Sequence, residues 1–328
     1  MALNGHCDLR PNRIFLWANP RTLSTAFEKC ISFIDGAQIW HEPFVSCYLN
    51  LLFTNPDTLA KFPKLGNFLE QFGKAKAILD AGGHTFQGGN LQPATKFSHD
   101  WVKEQLEKPL EKGKTFMFIK DMAFGIDGYY DKLPEASINK QWCNEDKRCP
   151  GVPVKHTFII RNTHRQALSA RRLLIHLYDF KGDPDDFDLG TDHPFMEWEK
   201  LSSDPLFKWW NYVREYIDPN PIVIDADDLQ NYPEAIMTKY CEKVGIPFKK
   251  ENLQWDGSDK SLRNYYGSLE QLVWGQNEHI YDAAFLSSSF LPIDRDPVAI
   301  LPQGCQNYEQ EFREGYRVMY KTRIRPDE

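Results

Sequence analysis

The sequence predicts an α/β protein, a three-layer sandwich of helices around a central parallel sheet. Three observations predict it. Five short apolar runs are continuous rather than alternating, as strands covered on both faces should be. Segments with helical spacing lie between them, so strand and helix alternate and right-handed crossovers follow. The 328 residues, 41% hydrophobic and 26% charged, suffice for one large domain, and a single domain over the whole chain is expected.

The first strand is expected at Arg13–Ala18, where Ile14 to Trp17 form the apolar centre and Ala18-Asn19-Pro20 end it. Ser24–Ile34 follows as a helix with Phe27, Ile31 and Ile34 on one stripe. A short strand, Gln38–Trp40, runs into His41-Glu42-Pro43. Asn50 to Phe97, with Gly82-Gly83 and Gly88-Gly89, interrupts the alternation as a long insertion of the kind that forms lids or acceptor walls. A helix over Ser98–Lys108 and a strand over Thr115–Lys120 come next, and Gly113-Lys114-Thr115 reads as the turn between them. It lacks the first glycine of a P-loop, and strand rather than helix follows it. Strand Thr157–Arg161 leads into helix Arg165–Tyr178. The acidic Lys181 to Phe195, with Asp183, Asp185, Asp186 and Asp188, is a second insertion; without calcium-loop spacing or a closing glutamate it reads as solvated. Helix Pro205–Tyr216, strand Ile222–Asp225 and helix Pro233–Lys243 complete the regular part, and Gly245 and Pro247 stop the last helix.

Two segments carry the chemistry. In Ile14 to Lys29 a strand turns sharply into a helix through polar residues, and free N–H groups at a helix start attract phosphate. Arg21, Thr22, Ser24 and Thr25 add one cation and three hydroxyls there. The turn has neither the glycines nor the lysine of a Walker A loop, so ordinary use of ATP is not expected. In Lys155 to Leu174 a second strand ends in Arg161, and Ser169 stands eight residues later on a helix, close enough for both to reach one phosphate.

With these motifs the chain resembles the sulfotransferase superfamily, which uses 3′-phosphoadenosine 5′-phosphosulfate (PAPS) and has a P-loop NTPase-like fold. The family's 5′-phosphosulfate loop is a strand, Pro-Lys/Arg-Ser/Thr and a Ser/Thr at a helix start; its 3′-phosphate motif is Arg with Ser eight residues on. Both occur here in the family's order. The resemblance implies that Arg21, Thr22, Leu23, Ser24 and Thr25 hold the 5′-phosphosulfate and that Arg161 and Ser169 hold the 3′-phosphate. Leu23 stands where glycine is common. The segment Pro221 to Leu229, then Tyr232-Pro233-Glu234 and Val244 to Phe248, resembles the family's late strand, acidic turn and helix exit. The likeness covers about residues 12 to 250, leaving 251–328 to fold over the nucleotide. In the family the C-terminal region folds back over the nucleotide, and the resemblance implies Trp274 against adenine and Ser287-Ser288-Ser289 against the 3′-phosphate. The NPRTLSTAFE loop, the HEP triplet and the IKDMAF strand end are similar to a sulfotransferase-like branch of plants and invertebrates.

Sulfonate transfer needs in-line positioning, neutralisation of the leaving phosphate and a base for the acceptor proton. Lys120 matches the family lysine, but the histidine of its K-x-H element is Met122 here, which cannot accept a proton. His41-Glu42-Pro43 supplies the base, as Glu42 or as His41, and Pro43 fixes the chain beyond Glu42. Arg21 is expected to stabilise charge on the bridging oxygen, with Lys120 as helper.

A net charge of −7 argues against nucleic-acid binding. The chain has no apolar run of membrane-spanning length, and its first residues lack a signal-peptide core, so no membrane association and a cytoplasmic location are expected. Seven irregularly spaced cysteines fit free thiols. Cys143, Cys149 and His156 match no common zinc pattern, and no metal is expected. The 14% aromatic content is compatible with an apolar acceptor pocket for a steroid, phenol or other alcohol, amines and sugars also being open, as is the oligomeric state. A non-catalytic phosphoadenosine-nucleotide binder is the alternative. A P-loop kinase would need the Walker lysine and a Walker B acid.

Overall fold

The computed structural model describes residues 13–54, 77, 81, 90–134, 154–177, 180–189, 204–257, 265–277, 279–290 and 300–327. Seven strands form one sheet: β1 (Arg13–Ala18), β2 (Ala37–His41), β3 (Leu91–Gln92), β4 (Phe116–Met122), β5 (Val154–Ile160), β6 (Ile222–Asp225) and β7 (Tyr265–Ser268). Their order is β3-β7-β2-β4-β1-β5-β6, and every pairing is parallel. The expected strands are all present, and β3 and β7 are two more that the sequence did not announce. Cys143, Cys149 and most of the Asn50 to Phe97 insertion lie outside the described residues.

The apolar runs split by parity. Ile14, Leu16 and Ala18 of β1 face one core cluster, while Phe15 and Trp17 face the other. The first core is closed by α1 (Ser24–Ser32), α4 (Thr163–Leu177) and α7 (Pro233–Val244); the second by α3 (His99–Glu107) and α5 (Pro205–Tyr216). Helix α2 (Pro43–Thr54) contributes to both, through Val45 and Leu49 on one side and Phe44 and Cys47 on the other. Further α-helices among the described residues are α6 (Ala226–Asn231), α8 (Leu269–Asn277), α9 (Asp282–Phe285) and α10 (Gln303–Tyr320), so the last quarter of the chain adds both a strand and helices to the core.

Local chemistry sets the boundaries. Asp204 caps α5 by accepting from Phe207 N, with Pro205 as the first helical residue. Gly245 at φ 76° ends α7 in the left-handed region. Asp225 ends β6 and caps α6, accepting from Asp227 N and Asp228 N at 3.0 Å each. From β1 the chain crosses to β2 on one side, whereas β5 and β6 lie on the other. The crevice at the carboxyl ends of β1, β4 and β5 is therefore a topological switch point, where ligands of such sheets bind.

Burial, with the charge of Asp227 next, pushes the Asp225 carboxyl up to about 7 from 3.8. Because the folded value lies above the unfolded one, the stability it contributes is fully present below about pH 3.8 and is lost as pH rises through 7. Urea denaturation should show that decline in the wild type and a flatter profile for Asp225→Asn.

Candidate active site

The loop after β1 is held from beneath. Asn19 Nδ2 donates to Asp204 Oδ1 at 3.0 Å, and the Thr22 hydroxyl donates to the Asn19 carbonyl at 2.8 Å. Arg21 and Leu23 both stand at φ 69°, in the left-handed region that costs a non-glycine residue about 1 kcal/mol or more. Leu23 thus takes the backbone conformation that glycine adopts freely, and packs its side chain against the core. Helix α1 starts directly afterwards with no acidic residue in its first turn. Ser24 is buried, and Thr25 is partly exposed.

The two phosphate motifs meet. Arg21 Nε donates to Ser169 Oγ at 3.0 Å, and Arg161 Nη1 donates to the Arg21 carbonyl at 2.9 Å. Burial, followed by the charges of Arg161 and Arg172, pushes Arg21 below the usual guanidinium range; burial likewise lowers Arg161, although Asp227 opposes this. Like charges gathered at a helix N-terminus fit a polyanion, whose phosphates would relieve the repulsion. Trp274 is 8% exposed and packs in the core with Leu272 and Val273.

The second half of the site lies at the ends of β2 and β4. His41 and Lys120 are register partners, and Glu42 N donates to the Lys120 carbonyl at 2.8 Å. Glu42 sits at φ 48°. Its turn is fixed by Asp121, which accepts from Phe44 N and Val45 N at the start of α2. Glu42 Oε1 is paired with Lys120 Nζ, while Oε2 accepts from Gln271 Nε2 and, at 3.1 Å, from the Tyr281 hydroxyl. Burial opposes ionisation of Glu42, but Lys120, His41 and the hydrogen bonds from Lys120 and Tyr281 outweigh it and hold the carboxyl below its usual range. His41 Nδ1 lies 2.7 Å from Glu28 Oε2.

The structure therefore brings Arg21, Arg161 and Ser169 into one group and His41, Glu42 and Lys120 into another. Residues 280–281 join them, because the Ile280 carbonyl accepts from Arg21 Nη1 at 3.4 Å. The sequence reading missed Glu28, Gln271 and Tyr281. Glu28 left a signal, a charge on the apolar stripe beside Phe27 and Ile31; Gln271 and Tyr281 left none, because they arrive from more than 220 residues away. Among the described residues no cluster of His, Cys, Asp and Glu could hold a metal ion, and no helix is long and apolar enough to cross a membrane.

No protein-family model matches the sequence, and no curated relative matches it either. The chain is similar in structure to a sulfotransferase domain from the curacin biosynthetic pathway, at 12% identity and TM-score 0.42, covering 92% of this chain and 98% of that one. It is similar to mouse sulfotransferase SULT7A1 complexed with PAP, at 13% identity and TM-score 0.42 over 95% and 86% of the two chains. A third similar structure is a sulfotransferase domain of the Synechococcus PCC 7002 olefin synthase, at 14% identity and TM-score 0.41 over 93% and 95%.

Lys120 is 0% exposed, so replacing it leaves the Glu42 carboxylate buried without its cation. Lys120→Met should lower unfolding free energy by about 3–5 kcal/mol in urea denaturation. Adding Glu42→Gln should recover much of that loss. An unaffected Lys120→Met would mean that Glu42 carries no charge.

Proposed function

We propose that this chain is a PAPS-dependent sulfotransferase, a single-domain cytoplasmic enzyme that moves a sulfonate group to a hydroxyl or amine of a small-molecule acceptor. The observation that carries the reading is convergence at one edge of the sheet. Arg21 and Arg161 come from the ends of adjacent strands, Arg21 bonding Ser169 and Arg161 bonding the Arg21 carbonyl, while Glu42 and Lys120 stand at the next two strands. The motifs resemble those of sulfotransferases in residue type, spacing and order.

PAPS supplies the sulfonate and a phosphate leaving group. Arg21, with the α1 N-terminus, neutralises the bridging oxygen as it gains charge. Arg161 and Ser169 hold the 3′-phosphate, with Thr22, Leu23, Ser24 and Thr25 shaping the 5′ site. Glu42 is anionic at neutral pH and takes the acceptor proton, and Lys120 holds it in place. The acceptor hydroxyl must displace Tyr281 from Glu42 Oε2 to reach it. That covering favours one second reading, a nucleotide binder without catalysis. Incubation with labelled PAPS and a small-metabolite extract separates the two, since only the enzyme transfers label.

Arg161→Ala should weaken binding of 3′-phosphoadenosine 5′-phosphate by about 1.5–3 kcal/mol in calorimetry, the range for charged hydrogen bonds. Equal affinity for adenosine 5′-phosphate and its 3′-phosphorylated form would remove the reading.

Glu42→Gln should keep nucleotide affinity while reducing turnover about 10²–10⁴-fold, measured with an acceptor whose hydroxyl has a high pKa. Near-normal turnover would show that Glu42 is not the base.

A further inference from the structure

Glu28 has no part in the chemistry above, yet it is 0% exposed in the interior side of α1. Its Oε2 meets His41 Nδ1 at 2.7 Å. The other ring nitrogen, Nε2, faces Glu42 Oε2 at 3.8 Å and has no hydrogen-bond partner among the described residues. One imidazole therefore stands between two buried carboxylates. The remaining groups against it are Lys120 from β4, Tyr265 from β7, and Tyr281 and Phe285 from the C-terminal segment. At Nδ1 the short contact is the one to Glu28.

An imidazole can accept a proton at one nitrogen while donating from the other, and a carboxylate at Nδ1 decides which nitrogen is free. We propose that Glu28, His41 and Glu42 form a proton relay, in which Glu28 is a positioning residue that holds His41 as the Nδ1–H tautomer and leaves Nε2 free for the proton Glu42 removes. The inference rests on the sulfonate-transfer reading. As the acceptor oxygen bonds to sulfur, the S–O bond to phosphate breaks and its electron pair leaves on the phosphate oxygen. The acceptor proton passes to Glu42 Oε2 and then to His41 Nε2. The Nδ1 proton moves toward Glu28, whose charge stabilises the loaded ring.

The two carboxyls are pushed in opposite directions, which gives the relay its sense. Glu42 is held low by its cation and donors, so it keeps a proton poorly; Glu28 is pushed up, chiefly by burial, so it is the better place for one. Passing the proton inward also frees Glu42 to re-form its pair with Lys120. The 3.8 Å gap closes by about 1 Å in the working geometry, within what catalytic hydrogen bonds do when a substrate tightens the site.

The test uses the full chain with ¹⁵N-labelled histidine, first without ligand. In mildly alkaline buffer the wild type should show His41 protonated at Nδ1 and bare at Nε2. Glu28→Met removes the acceptor and should move the ring to the Nε2–H form. Glu28→Gln can still accept from Nδ1–H through its amide oxygen, so it should keep the tautomer while losing the charge. Both variants should lower kcat about 10²-fold with nucleotide affinity and acceptor KM unchanged. Calorimetry with 3′-phosphoadenosine 5′-phosphate confirms that each is folded. A wild-type Nε2–H tautomer, or wild-type kcat in Glu28→Gln, overturns the relay while leaving the transfer reading standing. A wild-type chain that transfers no label overturns the transfer reading, and the relay with it.

Discussion

The buried pair between Glu42 and Lys120 is the interaction on which the rest of the site depends. It joins the ends of β2 and β4, and the same two residues are tied through their backbones by Glu42 N to the Lys120 carbonyl at 2.8 Å. Taking both charges out of water is costly, and a buried pair is tolerated only when its remaining hydrogen-bonding positions are filled. Gln271 and Tyr281 fill them on the carboxylate. The left-handed backbone at Glu42, φ 48°, is stabilised from below by Asp121, which caps the first turn of α2. A requirement of one ion pair thus sets where β2 stops, where α2 starts and which distant segment must close over both.

The arginine half of the site is built on the opposite principle. Arg21 and Arg161 lie side by side, and Arg21 donates to a hydroxyl and a carbonyl, those of Ser169 and Ile280. The whole chain carries −7, so the local cationic field is a deliberate inversion of the global charge. Left-handed residues at 21 and 23 and repelling guanidiniums both raise the energy of the unliganded loop. The loop's own hydrogen bonds, from Arg21 to Ser169 and from Arg161 to the Arg21 carbonyl, hold the two guanidiniums beside one another despite that cost.

The legibility of the sequence followed the range of the interactions. β1 could be read because Ile14 to Trp17 are buried on both faces, which forces a continuous apolar run. Arg161 and Ser169 could be read because their spacing is local. β7, Tyr-Tyr-Gly-Ser, could not, since four residues with a glycine carry no strand pattern and pairing with β2 and β3 makes them one. Helix α2 went unread because its N-terminus is capped from β4, by Asp121, rather than by a residue just before it. Glu28 was visible as a charge on an apolar stripe, but its partner His41 lies on another element, and a stripe cannot say what its one polar member meets.

The C-terminal segment shows how the two halves are coupled. Its Ile280 carbonyl accepts from Arg21, and its Tyr281 hydroxyl donates to Glu42, so one segment touches both groups. Farther along, the buried Lys29 of α1 donates to the carbonyls of Phe285 and, at 3.0 Å, Ser287, which anchors the rear of the segment to the helix that begins the phosphate loop. His279, at φ 55°, lies just before the contacts to Arg21 and Glu42. Residues 280–281 are tied further by Ile280 N, which donates to the Gly275 carbonyl at 2.9 Å, and by the Tyr281 carbonyl, which accepts from Ala284 N and Phe285 N, so the segment is held across its middle as well as at its rear. One segment from the end of the chain thus bonds both the loop after β1, through Arg21, and the buried pair at the ends of β2 and β4, through Glu42, so neither half of the site is built without it.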